Sequence, residues 1–277
     1  MKKKMAMLLA AVMAVTVLGG CGTSQTKQES AQTQKESEQT KSESAGEDDV
    51  EIAYGGDVKI STIEGPVTLY LPQSSTTGDR WFASPAAESL GRLTEDGTTQ
   101  PWLAEEFITD PDALTFTIKL RDGVEFHDGS PCNADAVAWN IEQYIANGKG
   151  SEIGNPTSVT ADDNLTVTVH FDEWANNWDE VIGGLHIISK EAYEKNGEEW
   201  CKIHVVGTGP FVFDSYVAGS SLKYVKNENY RIEGQPYVDS VEFVVIPDTN
   251  TQVSAFLNGE VDVLNTIDGT VIQTVQA

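Results

Sequence analysis

Basic residues are scarce in this sequence: 18 lysines and arginines stand against 43 aspartates and glutamates, and the formal net charge is -25. A protein that binds nucleic acid needs lysine and arginine to displace the counterions of the phosphate backbone. The composition therefore argues against a nucleic-acid partner. The acidity is typical of a solvated surface, and it does not by itself indicate a cationic ligand.

Motifs for catalysis and metal binding are also missing. No G-x-S-x-G run occurs, so a serine-hydrolase elbow has no support. The histidines show no metal-ligand spacing such as H-x-x-x-H. They are His127, His170, His186 and His204. We therefore predict no catalytic residue, no metal and no cofactor.

Two short runs could still suggest chemistry. His127-Asp128 could be an acid–base or metal pair, but adjacent side chains in a turn point apart. The favoured alternative is a structural turn, in which Asp128 accepts hydrogen bonds from nearby backbone N–H groups and His127 packs or pairs locally. Gly207-Thr208-Gly209 lacks the third glycine and the following lysine of a phosphate loop, so it does not predict phosphate binding.

Cysteine is rare as well, with three residues in the chain. Cys132 and Cys201 could form a disulfide only if the fold brings them close together, which the sequence does not show. Two separate, packed thiols are the favoured alternative. Cys21 stands apart from both because of the segment that precedes it.

The segment before Cys21 has the pattern of a lipoprotein signal. A basic stretch at residues 2–4 leads into an apolar run at 5–18, which is shorter than the about 20 residues of a membrane-spanning helix. Leu18-Gly19-Gly20-Cys21 then resembles a lipobox. We predict a signal peptide at 1–21 with lipid on Cys21, and the alternative is an ordinary signal peptide with an incidental cysteine. Two acyl chains suffice for stable anchoring.

Residues 22–50 have a different composition, dominated by Ser, Thr, Gln, Glu and Lys. Such a segment buries too little apolar surface to offset the entropy of ordering, so a disordered tether is predicted. A flexible coil of this length spans roughly 30 Å, enough to hold a folded domain off a membrane.

Residues 116–140 contain the most informative pattern. Phe116, Ile118 and Leu120 alternate with polar residues, which is typical of a half-buried strand. Asp122-Gly123 and Asp128-Gly129 are turn pairs. Asn133 is a candidate N-cap of the helix that follows.

Other segments give further local predictions. Residues 58–64 and 165–171 are typical of strands, and Arg80 to Leu93 of a helix with Pro85 near its first turn. Ser189 is a candidate cap of a short helix ending at Gly197. Residues 241–264 predict a β-α-β unit with parallel strands.

The run from Leu120 to Val137 resembles the signature of the family 5 extracellular solute-binding proteins, which are dipeptide, oligopeptide and nickel receptors of ABC importers. L-R-x-G-V-x-F-H-D-G-x-P matches at fixed spacing, and Ala136 replaces the usual aspartate. Residues 207–211, G-T-G-P-F, match a second family motif, and residues 255–263 a third. The resemblance covers about residues 57–265.

This resemblance implies an α/β, two-lobe, periplasmic-binding-protein-like fold of type II, cluster C. We expect residues 51–277 to form the N-terminal part of the domain: the first lobe with an inserted subdomain at about 80–190. Family members continue into a second lobe, which this sequence lacks, so the chain is expected to be an N-terminal fragment. Such receptors close on a ligand between their lobes by a hinge.

The ligand site is expected where loops leave the carboxyl ends of sheet strands. The candidate substrate-binding residues come from the loop after the first strand, the region near His186 and the glycine-rich turn. They are Thr76, Thr77, Trp81, His186, Gly207, Thr208 and Gly209. Hydroxyls and backbone groups would bind peptide-like groups, and Trp81 would cover a side chain or stack on a cation.

Short peptides are the favoured ligand, and a nickel chelate is the alternative within the family. A chelate receptor is expected to offer arginine to carboxylates, and no arginine occurs between Ala138 and Val206. The expected partners are ABC permease subunits and the membrane, through the lipid, with a monomeric protein outside the cytoplasm. An exported hydrolase and a passive surface lipoprotein remain the alternatives of other classes.

Overall fold

The computed structural model describes residues 53–74 and 77–276. The predictions for residues 1–50, including the lipid on Cys21 and the tether, lie outside these residues. Strands and helices together confirm the α/β class. Within the described residues, no helix is both long enough and apolar enough to cross a membrane.

Strands and helices are interspersed along the described chain. The strands are β1 (Asp57–Thr62), β2 (Gly91–Leu93), β3 (Thr99–Pro101), β4 (Ala104–Asp110), β5 (Thr115–Leu120), β6 (Ser158–Ala161), β7 (Thr166–His170), β8 (Phe211–Val217), β9 (Ser221–Lys226), β10 (Ser240–Val245) and β11 (Val263–Leu264). The helices are α1 (Thr77–Ala83), α2 (Ala134–Tyr144), α3 (Trp178–Val181), α4 (Lys190–Asn196), α5 (Glu198–Cys201), α6 (Thr249–Leu257) and α7 (Gly269–Gln276). Shorter helical turns lie at Leu71–Gln73, Ile145–Lys149 and Gly150–Ile153.

The larger sheet has the strand order β11-β1-β10-β9-β8. β1 pairs in parallel with both β10 and β11, so that Ile60 lies opposite Phe243 on one side and Val263 on the other. α6 connects β10 to β11, and the two strands share one direction. The predicted parallel β-α-β unit is therefore confirmed, with β1 between its two strands.

A second, antiparallel sheet has the order β4-β5-β7-β6 and lies within the stretch between β1 and β8. Phe116 and Ile118 of β5, and Val167 and Val169 of β7, are fully buried on one face. α2 packs against β6 and β7 and buries Val137 and Ile141. The alternation read from the sequence is thus confirmed in both strands.

The predicted helix caps are confirmed too. Asn133 accepts a hydrogen bond from the Ala136 backbone N–H at 3.0 Å at the start of α2. The Ser189 hydroxyl oxygen accepts a hydrogen bond from the Ala192 backbone N–H at 2.9 Å at the start of α4. That helix ends at Gly197, whose φ of +83° is costly for residues with a side chain.

The predicted helix from Arg80 to Leu93 is wrong in its extent. α1 ends at Ala83, because Pro85 disfavours helical geometry in the residue before it and has no backbone N–H. The chain then enters β2, which pairs with β3. A Cβ on Gly91 would lie 2.9 Å from Phe107 and Thr99, so only glycine fits there without movement.

Cys132 and Cys201 are free and buried, so the interpretation as two separate thiols is confirmed and the disulfide is not formed. Burial raises the pKa of Cys132 to about 12 and that of Cys201 to about 11. Both thiols are therefore protonated and unreactive near neutral pH.

Candidate binding site

The loop after β1 leads into α1, as the site prediction requires. Of the three candidates there, Thr76 lies outside the described residues. Thr77 is the first residue of α1, and its side chain is also outside the described part. Trp81 is 37% exposed, and its ring packs 4.8 Å from that of Phe243 on β10. Trp81 thus offers a partly exposed aromatic surface held by the larger sheet.

Asp79 ties this loop to α1. Its carboxylate is 2% exposed and accepts hydrogen bonds from the Val67 backbone N–H at 2.8 Å and from the Ser74 hydroxyl at 3.3 Å. Farther along the loop, Tyr70 is fully buried and donates to Gln143 of α2 at 2.9 Å. The loop is therefore held by α1 through Asp79 and by α2 through Gln143, while the side chain of Val67 is exposed.

A cavity of about 230 Å³ lies beside this loop. Its wall includes Ser74, Arg80 from α1, Tyr144 from the end of α2, and Glu180 and Gly184 from α3 and the turn after it. Within the described residues, no carboxylate lies within salt-bridge distance of the Arg80 guanidinium. The cavity wall therefore carries a cation that has no ion pair within the described residues.

Glycine shapes the turn that borders the cavity. A Cβ on Gly183 would lie 2.0 Å from the Asp179 carbonyl oxygen, and one on Gly184 would lie 2.7 Å from that of Glu180. The chain can therefore turn sharply after α3 only with glycine at these positions. This turn brings the backbone of Gly184 to the cavity wall.

His186 follows this turn but is held inside the lobe. It forms an isolated antiparallel bridge with Ser89, and its Nδ1 is buried with no hydrogen-bond partner in the described residues. Burial lowers the pKa of His186 to about 4. The imidazole is therefore neutral near pH 7 and does not supply a positive charge to a ligand.

The Gly207-Thr208-Gly209 turn packs against residues 85–88. A Cβ on Gly207 would lie 2.1 Å from the Ala86 carbonyl oxygen, which instead accepts a hydrogen bond from the Gly209 N–H at 2.8 Å. Thr208 is 2% exposed and donates its hydroxyl to Glu88 at 2.9 Å. None of these three residues lines the cavity beside Arg80, so the fold separates them from that part of the predicted site.

Glu88 is a buried carboxylate that sequence reasoning missed. It accepts hydrogen bonds from Trp102 Nε1 at 2.5 Å, Tyr230 at 2.8 Å, Thr208 at 2.9 Å and Arg231 at 3.2 Å. Burial raises the pKa of the Tyr230 hydroxyl, so it remains a donor. Thr208, Tyr230 and Arg231 lie 120 or more residues from Glu88 in the sequence, so no local pattern around Glu88 predicts these bonds. The arrangement joins these segments of the chain around one buried carboxylate.

Arg80 is a second residue that sequence reasoning missed. The absence of arginine between Ala138 and Val206 was used against a chelate ligand, whereas the fold places Arg80 on the same cavity wall as Gly184 and Leu185. The signal available in the sequence was the adjacent candidate Trp81, one position along α1.

His127 and Asp128 form the structural turn that the sequence analysis favoured. Asp128 accepts hydrogen bonds from the Ser130 backbone N–H at 3.0 Å and from the Ser189 hydroxyl at 2.6 Å. His127 Nε2 lies 3.0 Å from the Gly209 carbonyl oxygen. The turn interpretation is confirmed. In the part of the chain that the structure describes, no group of three or more His, Cys, Asp or Glu side chains could hold a metal ion.

Most of the folded chain matches a known protein family. Residues 98–277 match the family model described as "Bacterial extracellular solute-binding proteins, family 5 Middle". The glutathione-binding protein GsiB of Shigella boydii serotype 4 is 31% identical over 216 residues, which cover 74% of this chain and 41% of that protein. This chain thus spans less than half the length of that relative.

Two solved structures show the same fold. The oligopeptide-binding protein AppA of Bacillus subtilis, in complex with a nonapeptide, aligns with a TM-score of 0.69 at 23% identity, covering 76% of this chain and 44% of AppA. NikA of Brucella suis, in complex with Fe(III)-EDTA, aligns with a TM-score of 0.65 at 24% identity, covering 74% of this chain and 42% of NikA.

Proposed function

Because this chain belongs to the bacterial extracellular solute-binding proteins of family 5, we propose that it is the binding component of an ABC importer and captures short peptides. The observation that carries this proposal is the cavity beside the loop after β1. Its wall includes Arg80, which has no ion pair within the described residues and stands in α1 directly before the partly exposed Trp81. The relative at 31% identity is named for glutathione, itself a tripeptide.

We assign the predicted site residues two different roles. Trp81, with Thr76 and Thr77 of the segment that follows β1, would contact the ligand, because this segment leaves the carboxyl end of β1 and is exposed at Val67. His186 and residues 207–209 would act indirectly, since their neighbours are groups inside the lobe. His186 would fix the Gly184 turn, and Thr208 would fix Glu88.

We further propose that the protein is held outside the cytoplasm by lipid on Cys21, with residues 22–50 as the tether. The receptor would act as a monomer and deliver its ligand to the permease subunits. The basic segment, the short apolar run and the lipobox-like residues of the sequence support the anchor.

We propose no catalytic activity for this protein. A hydrolase needs a nucleophile within hydrogen-bond reach of a base. The Ser189 hydroxyl instead donates to Asp128, and His127 Nε2 faces a backbone carbonyl. Neither arrangement provides a nucleophile activated by a histidine.

A metal chelate is the second candidate ligand, and Arg80 is the observation that favours it. Chelators carry several carboxylates, for which arginine is well suited. The absence of arginine between Ala138 and Val206 argued against such a ligand, and Arg80 would supply the cation that this stretch lacks. The likeness to NikA supports the shared fold.

A thermal-shift screen of the full-length protein tests these alternatives. The panel contains di- to pentapeptides, glutathione, nickel with histidine, and Fe(III)-EDTA. A ligand present at about 100 times its dissociation constant should stabilise the fold by roughly 2.7 kcal/mol. Stabilisation by peptides supports the proposal, and stabilisation by a chelate alone supports the second candidate. No shift with any member would favour a passive surface lipoprotein.

A further inference from the structure

We propose that Arg80 binds a carboxylate group of the ligand and thereby selects peptides with a free acid at the end that enters this cavity. This inference rests on the proposed function and specifies the chemistry of one subsite.

The lack of a bonding partner sets Arg80 apart from the other arginines of the sequence. Arg231 donates to Glu88 at 3.2 Å, Arg121 donates to the Trp102 carbonyl oxygen at 2.7 Å, and Arg92 lies 3.2 Å from the centre of the Trp102 ring. In residues 53–74 and 77–276, Arg80 has neither an ion pair nor a side-chain hydrogen bond. A guanidinium carries five N–H donors and stays charged, so Arg80 is a cation whose donors are available to a ligand.

The position of Arg80 is fixed although its head group is unpaired. The preceding residue, Asp79, is buried and holds the first turn of α1 against the Val67 backbone. The following residue, Trp81, packs on Phe243. Because both neighbours are anchored, the side chain of Arg80 leaves the helix in a defined direction, toward the cavity that it lines.

The cavity suits one end of a ligand rather than a whole peptide. At about 230 Å³ it is smaller than the roughly 300–1,000 Å³ typical of sites that enclose a drug-sized molecule. Leu71, Ile153 and Leu185 make part of its wall apolar. An ion pair next to apolar groups is stronger than one in open water, because the local dielectric is lower.

The acidic side chains of the cavity leave Arg80 available. Glu152 pairs with Lys149 at 2.9 Å. Glu180 is exposed, and it too lies beyond 4.0 Å of the Arg80 guanidinium, since no such ion pair occurs in the described part of the chain. A ligand carboxylate that reached Arg80 would therefore not have to displace an existing ion pair of the guanidinium. Glu180 would in turn disfavour a ligand with a second negative charge near the rim.

The test compares trialanine with trialanine amide by isothermal titration calorimetry on the full-length protein. We expect the wild type to bind the free acid at least about tenfold more tightly, as for a charge-assisted hydrogen bond. Arg80→Gln should reduce the affinity for the acid to that for the amide. Arg80→Lys should retain part of the preference, because it keeps the charge but loses the planar fork. Glu180→Gln, on the same wall, should not weaken binding of the acid.

A second probe separates failure of this inference from failure of the proposed function. The Arg80 Nε–H signal, assigned by its loss in Arg80→Lys, is followed by NMR during titration with N-acetylglycine and with the neutral N-acetylglycinamide. We expect the acid alone to shift it. If the acid shifts the signal but no peptide binds, Arg80 binds carboxylate and the peptide proposal fails. If peptides bind without regard to amidation or to Arg80→Gln, the Arg80 inference fails and the peptide proposal stands.

Discussion

The Thr208 hydroxyl donates a hydrogen bond to Glu88 at 2.9 Å, although 120 residues separate the two in the sequence. This contact joins the glycine-rich turn before β8 to the segment after α1. Trp102, Tyr230 and Arg231 donate to the same carboxylate. A single buried side chain thus connects four distant segments of the lobe.

Replacing Glu88 should therefore destabilise the fold strongly. Glu88→Ala would leave the Arg231 guanidinium and three other donors without their acceptor, which costs about 3–5 kcal/mol when a buried pair is broken. Urea unfolding followed by circular dichroism measures the loss. Glu106→Gln is the matched control: Glu106 pairs with Lys119 at 2.7 Å, but both are about half exposed. Glu106→Gln should lower the free energy of unfolding by less than about 1 kcal/mol. Equal losses for the two variants would contradict this role of Glu88.

Gly207→Ala should also destabilise the protein, because the new Cβ would lie 2.1 Å from the Ala86 carbonyl oxygen. Overpacking of this kind typically costs about 1–3 kcal/mol. Gly269→Ala is the control, since nothing lies within 4 Å of the position that its Cβ would take, and it should change stability by less than about 0.5 kcal/mol. An unfolding midpoint for Gly207→Ala equal to that of the wild type would show that the turn has room to relax.

Stability should decrease as the pH falls from about 6.5 toward 4. Burial lowers the pKa of His186 from 6.5 to about 4, so in this window the unfolded chain binds a proton that the folded protein does not. The stabilisation is fully present above pH 6.5 and is lost as the pH falls to 4. Burial lowers the pKa of His127 as well, in the same direction.

The substitution His186→Phe isolates the contribution of this residue. The slope of the unfolding free energy against pH should decrease by up to about 1.4 kcal/mol per pH unit between pH 6.5 and 4. Unfolding free energies from urea titrations at several pH values give this slope. A variant with the slope of the wild type would show that His186 does not titrate as described.

The anchor is tested by Cys21→Ser. The variant should leave the membrane fraction or remain unprocessed, because only the Cys21 thiol is placed behind the signal-like segment to accept diacylglycerol. Membrane fractionation and intact-mass spectrometry measure both outcomes, and Cys132→Ser should retain the acyl mass. A wild-type mass without acyl groups would exclude the lipid on Cys21.

Local patterns predicted much of the fold. The alternation around Val167 and Val169 indicated a strand, and Asn133 and Ser189 indicated helix starts, because each depends on neighbours only a few residues away. The motif from Leu120 to Val137 indicated the protein family, and the match of residues 98–277 to the family model confirms it.

The errors and omissions have physical causes. The helix from Arg80 to Leu93 was predicted with Pro85 near its first turn, where proline is tolerated, whereas α1 begins at Thr77 and has ended before Pro85. The bonds of Glu88 to Thr208, Tyr230 and Arg231 span 120 residues or more, and Arg80 and Gly184, which line one cavity, are also far apart in the sequence. Such contacts are set by how the sheets and helices pack, and no local pattern encodes them.

The proposal that this family 5 protein binds short peptides is tested most directly by isothermal titration calorimetry. The full-length protein is titrated with di- to pentapeptides and glutathione, and in parallel with nickel–histidine and Fe(III)-EDTA. We predict saturable binding of at least one peptide, weakened by Trp81→Ala, and no comparable binding of the chelates. Saturable binding of a chelate with no heat from any peptide would contradict the assignment of a peptide ligand.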